Sequence, residues 1–125
     1  MAKVSKEEFE KALVALEEAH EECIRQVPNS KSYKLLRDAT IQRFEFCVEL
    51  SWKVSLKSLG ATATSAKPAL REMLRSAYIT DINLWFDFIE ARNKSSHTYD
   101  ENIAVEVFSH IAGFIVEARA LLLKL

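Results

Sequence analysis

From Ser32 to Leu59 the chain runs without a glycine or a proline, and Gly60 then closes the run. That pattern predicts one long helix with glycine as its natural stop. Ile41, Phe44, Cys47, Val48, Leu50, Trp52 and Val54 spread over much of its circumference. Asp38, Gln42, Glu45, Glu49 and Lys53 leave only a narrow polar stripe, with Glu49 and Lys53 at favourable i, i+4 spacing. One bundle core needs a narrower apolar arc. A helix of this kind is either central in its bundle or also lines a subunit interface. Large apolar patches are rare on soluble monomers, so the expectation is a homodimer built on this helix. The polar stripe reads as a solvated face, and Trp52 and Trp85 read as core residues.

The rest of the chain supports helices of shorter length. Only two glycines and two prolines occur in 125 residues, too few turn residues for many short strands. Ser5 and Glu8 form a capping-box pattern, followed by Phe9, Leu13, Leu16, Ala19 and Cys23 at helical spacing. Pro28-Asn29-Ser30 is expected to stop that helix. Ala61–Lys67 is a small-residue connector, and Pro68 fits the first turn of a short helix reaching Ala77. Thr80 or Asp81 opens a further helix with Ile82, Trp85, Phe86 and Ile89 facing inward. A second capping-box pattern, Thr98–Glu101, precedes a last helix with Val105, Phe108, Ala112, Ile115, Ala118 and Leu122 inward. No internal repeat and no convincing strand is evident. The predicted fold is all-α: an antiparallel up-down four-helix bundle with an additional short helix, one domain over residues 1–125.

Composition narrows the function. Net charge is −1 with the histidines neutral, which excludes a protein held to nucleic acid by bulk electrostatics. Any contact with RNA or a nucleotide must be local. Cys23 and Cys47 lie far apart inside helical patterns and match neither a metal spacing nor a disulfide framework. They read as buried thiols of a reducing cytoplasm. Residues 1–8 hold no apolar signal core, and the apolar run from Ile111 to Val116 is too short to span a bilayer. No membrane association, metal or cofactor is expected.

Chemistry concentrates in Arg92-Asn93-Lys94-Ser95-Ser96-His97-Thr98-Tyr99. The planar fork of arginine donates two parallel hydrogen bonds to a phosphate. Histidine moves a proton near neutral pH. In an unbroken helix Arg92 and His97 would project about 140° apart, because each residue turns about 100°. Facing one ligand therefore requires the helix to end between them. Asn93, Ser95 and Ser96 are plausible enders, since their side chains compete for backbone hydrogen bonds. Singly, each residue has an ordinary explanation: a cation suits a helix C-terminus, and a turn histidine is usually just solvated. His20 and His110 are isolated and carry no assigned role.

The constellation resembles a known family. Arg-x-x-x-x-His-x-Tyr, here Arg92, His97 and Tyr99, is similar to the signature of the HEPN superfamily. Arg37 through Lys53 resembles the second helix of bacterial nucleotidyltransferase substrate-binding proteins, Ala69–Ala77 their third, and Trp85–Glu101 their fourth helix and active-site turn. The resemblance implies a dimeric helical bundle whose two motifs line one cleft. It implies a minimal nucleotidyltransferase as partner. It also implies either a metal-independent ribonuclease toxin silenced by that partner or a non-catalytic substrate-binding subunit of it. Under the first reading Arg92, His97 and Asn93 are catalytic. Arg92, Asn93, Ser96 and Tyr99 bind the RNA or nucleotide, and Tyr99 is also the site at which the partner adds AMP.

Overall fold

A computed structural model describes residues 4–125 and contains six α-helices. They are α1 (Lys6–Ile24), α2 (Lys31–Leu59), α3 (Ala66–Arg75), α4 (Ile82–Lys94), α5 (Glu101–Ser109) and α6 (Ile111–Leu122). A single 3₁₀ turn, Ser95–His97, follows α4. No strand occurs among the described residues, and none of their helices is long and apolar enough to cross a membrane. Of the N-terminal segment expected to lack a signal core, residues 1–3 lie outside those described.

Local chemistry sets most boundaries. Ser5 Oγ accepts from the Glu8 N–H at 3.1 Å, and Asp81 Oδ1 accepts from the Leu84 N–H at 3.1 Å. Gly60 sits at φ 65° and ends α2, with the Ala61 N–H reaching back to the Leu56 carbonyl. The same closure ends α3, where Tyr78 N–H bonds to Met73 O at 2.8 Å, but there the left-handed residue is Ala77. Helix α1 stops at Ile24, before Pro28. Ser30 belongs to the next element and caps α2 through the Tyr33 N–H. Asp100, not Thr98, caps α5, accepting from the N–H groups of Asn102 and Ile103. Glu101 is engaged elsewhere, so the second capping box does not form.

The expected last helix is interrupted at His110. The Ser109 hydroxyl donates to the Glu106 carbonyl at 2.5 Å, the acceptor that His110 N–H would use in a continuous helix. His110 N–H bonds instead to Val107 O. The expected inward face is corrected in part: Ala118 and Leu122 are buried as expected, and Phe108 and Ile115 are half-buried. Val105 and Ala112 are exposed, whereas Ala104, Val107, Ile111, Phe114 and Leu121 are buried. The buried row and the expected row are both apolar and offset by one residue, so periodicity alone could not choose between them.

Helix α2 is the axis of the bundle and packs against every other helix and the 3₁₀ turn. Phe44 and Val48 are fully buried within the chain, and Trp52 is 7% exposed. The wide apolar arc is therefore explained by a central position. The argument that it must cover a subunit interface fails, because the chain's own helices cover it. Phe44, Trp85, Phe88 and Phe114 meet edge to face at the centre, with ring centroids 5.3–5.8 Å apart. Both cysteines are free and buried; burial pushes the Cys47 thiol up to about 12.

Candidate active site

The motif begins on the last turn of α4 and continues over the 3₁₀ turn. Helix α4 ends at Lys94, between Arg92 and His97, and the 3₁₀ turn carries the chain on through His97. The agent is Ser95. Its N–H bonds to the Arg92 carbonyl, and its hydroxyl donates to the same oxygen at 2.5 Å. The hydroxyl also contacts Glu45 Oε2. Ser95 is buried, unlike its neighbours Asn93, Lys94, Ser96 and His97. It tightens the backbone from α to 3₁₀ spacing between Arg92 and His97.

Arg92 is held from α2. Its Nε donates to Glu49 Oε1 at 2.8 Å, and the other Glu49 oxygen lies 3.6 Å from Lys53 Nζ. The Arg92 side chain remains 30% exposed, and neither terminal nitrogen has a hydrogen-bond partner among the described residues. The edge that forms a fork on phosphate is thus free.

His97 and Tyr99 come together. His97 Nδ1 lies 3.4 Å from Tyr99 Oη, with the rings edge to face at 6.0 Å. Tyr99 is 86% exposed. Asn93 and Ser96 are exposed, and no side-chain hydrogen bond links either to Arg92 or His97. Beyond the turn, Glu101 receives a bidentate pair from the nearly buried Arg37, at 2.7 and 3.0 Å. That hydrogen bonding, with the Arg37 and Lys34 charges, holds the Glu101 carboxyl below the usual carboxylate range.

Sequence reasoning therefore missed three supports. Glu45 and Glu49 belong to the stripe expected to be solvated, yet both are half-buried and brace the motif. Ser95 was expected only as a helix ender. The available signal was two carboxylates one turn apart beside a wide apolar arc. Their partners lie 43 and 50 residues away, beyond any periodicity window.

A groove of about 370 Å³ lies between α4 and α5, lined by Asp87, Glu90, Ala91, Lys94, Glu106 and His110. Lys94 is bridged to Glu106 at 3.1 Å across it, which leaves a net acidic lining unsuited to phosphate. Among the described residues no group of three or more His, Cys, Asp or Glu side chains could hold a metal ion. His20 stacks on Phe108 at 5.5 Å, and burial lowers its pKa. It is a packing residue.

Comparison with known proteins places the chain in a family. The chain is 38% identical over 93 residues to the probable ribonuclease HepT of Haemophilus influenzae; the match spans 68% of this chain and 64% of that relative. It superposes on the H. influenzae protein HI0074, described as a substrate-binding domain of a nucleotidyltransferase. The TM-score is 0.81 at 30% identity, covering 95% of this chain and 97% of that one. A Thermus thermophilus structure matches at TM-score 0.78 and 26% identity over 93% of this chain and 97% of its own. Over residues 5–125 the sequence matches the model of the family described as nucleotidyltransferase substrate-binding protein like. The chain belongs to that family.

Proposed function

We propose that this protein is the HEPN-type component of a pair with a minimal nucleotidyltransferase, and that it cleaves RNA without a metal ion. The observation that carries the reading is the division of labour at the turn: an arginine with its phosphate-binding edge free, followed by an exposed histidine. In the proposed reaction the 2′-oxygen of a ribose attacks the adjacent phosphorus and the bond to the 5′-oxygen breaks. His97 accepts the 2′-hydroxyl proton or protonates the leaving 5′-oxygen. Arg92 stabilises the charge that develops on the phosphate oxygens. The products are a 2′,3′-cyclic phosphate and a 5′-hydroxyl. Asn93 and Ser96, both exposed, are the proposed ligand contacts.

In a single chain these side chains are displayed at the surface, whereas such chemistry benefits from water exclusion. Pairing of two chains with their motifs facing would supply both the enclosure and a second His97. This, rather than the apolar arc of α2, is the support for a homodimer. Tyr99 is the proposed site of silencing. Its oxygen attacks the α-phosphate of ATP bound to the partner, and pyrophosphate leaves. The adduct removes the phenol from His97 Nδ1 and places an anionic phosphodiester beside His97. The buried free thiols fit a cytoplasmic site of action.

The test is incubation of the purified chain with RNA and a chelator. Cleavage leaving cyclic phosphate ends, lost in Arg92→Ala and His97→Ala, supports the reading. A second reading, a non-catalytic substrate-binding subunit, is favoured by the description of HI0074. Binding of RNA or nucleotide without cleavage in any form of the protein would select it. Co-expression with the partner transferase, followed by intact-mass measurement, tests Tyr99. An AMP-sized increase that disappears in Tyr99→Phe is expected. Silencing of Tyr99→Phe with no mass increase in the native chain would mean inhibition by occlusion.

A further inference from the structure

We infer that Glu49 is a positioning residue for the site, acting through Arg92; the inference rests on the phosphate-directed reading of that arginine. A guanidinium has two edges able to form a fork, one through Nε and a terminal nitrogen, the other through both terminal nitrogens. Glu49 engages Nε at 2.8 Å. What remains is the edge with both terminal nitrogens, which suits a phosphate held head-on.

The support for Glu49 is rigid. It lies between Val48, fully buried, and Leu50, 3% exposed, on the helix that every other helix contacts. Lys53, one turn on, faces its second oxygen at 3.6 Å and limits rotation of the carboxylate. One turn earlier, Glu45 Oε2 shares the single proton of the Ser95 hydroxyl with the Arg92 carbonyl in a three-centre hydrogen bond. Helix α2 therefore fixes Arg92 at its backbone and at its side chain.

Two effects of Glu49 oppose each other. Its charge offsets part of the Arg92 charge and weakens the grip on a ground-state phosphate. Its hydrogen bond fixes where the guanidinium points, which counts when charge develops in a defined direction. Glu49 therefore raises kcat at some expense in KM. Glu49→Ala should lose about 10–100-fold in kcat with KM unchanged or lower. Glu49→Gln should recover most of kcat, because an amide oxygen accepts the same hydrogen bond.

The experiment combines RNA cleavage rates with the nitrogen–proton NMR correlation of arginine Nε groups, the Arg92 signal being assigned by its absence in Arg92→Ala. The native chain and Glu49→Gln should show a protected Arg92 Nε–H, and Glu49→Ala should not. Circular dichroism confirms that each variant is folded. A folded Glu49→Ala with native kcat overturns the inference, as does one that cleaves faster, or a Glu49→Gln as impaired as Glu49→Ala. If the native chain cleaves no RNA, the ribonuclease reading falls, and the NMR signal alone decides. An Arg92 Nε–H unprotected in the native chain, or still protected in Glu49→Ala, then overturns the positioning role.

Discussion

Two arginines tie α2 to the segment around the motif, and they are used in opposite ways. Arg37, on α2, spends both terminal nitrogens on Glu101, at 2.7 and 3.0 Å, and its side chain is 5% exposed. Arg92, on α4, gives one nitrogen to Glu49 and keeps 30% of its side chain exposed. Both pairs are arginine to carboxylate, and both bridge distant segments. What distinguishes them is unused hydrogen-bonding capacity. A guanidinium with a filled fork and little exposure is a clamp; one with a free fork at the surface is able to receive an anion. Arg37–Glu101 fixes the start of α5, and Glu49–Arg92 and Glu45–Ser95 fix the end of α4. The turn bearing His97 is held from both sides by one helix.

The largest expected effect tests the free fork. Arg92→Ala should lower RNA cleavage by at least about 100-fold while thermal stability changes little, since a half-exposed ion pair contributes little. Arg37→Ala should do the reverse. If both variants lose activity at equal stability, the distinction between clamp and receptor collapses.

Next in size is the stability cost of Arg37→Ala. Loss of two hydrogen bonds between charged groups, one partner buried, should cost about 1–3 kcal/mol in denaturant unfolding. Cleavage per folded molecule should fall far less than in Arg92→Ala. Arg37→Lys isolates the fork itself. A lysine keeps the charge but cannot meet both Glu101 oxygens in parallel, so about 1 kcal/mol should be lost. An Arg37→Lys variant as stable as the native chain would show that charge alone holds α5.

This comparison also marks what the sequence discloses. Ser5, Gly60 and Asp81 announce helix ends because a cap is a matter of adjacent residues. The long run of α2 announces a central helix, but not that its own chain covers it. Arg92, His97 and Tyr99 are legible because they share eight residues and a family pattern. Glu45, Glu49 and Arg37 are not, because each gains its role from a partner at least 43 residues away. The last helix misled for a different reason. Ala104, Val107, Ile111 and Phe114 form one apolar row at helical spacing and Val105, Phe108, Ala112 and Ile115 another beside it, so spacing alone did not choose between them; the break at His110 begins with the hydroxyl of Ser109.

The smallest effect concerns pH and belongs to the clamp alone. Arg37 holds the Glu101 carboxyl below its ordinary range through hydrogen bonding and charge, with Lys34 adding to it. A carboxyl whose folded pKa is depressed stabilises the folded chain above its unfolded value, near 4.3 for glutamate, and loses that contribution as pH falls through the folded value. The stability gap between the native chain and Glu101→Gln should therefore stay constant from neutrality to about pH 5 and close below it. In an Arg37→Ala background the same substitution should leave only the small pH-dependent gap that the Lys34 charge supports, because the main partner that depresses the pKa is gone. The measurement is urea unfolding of the four chains at a series of pH values. A gap that persists undiminished through strong acid, or that is undiminished without Arg37, would show that Glu101 stabilises α5 through packing or its helix-start position rather than through the arginine.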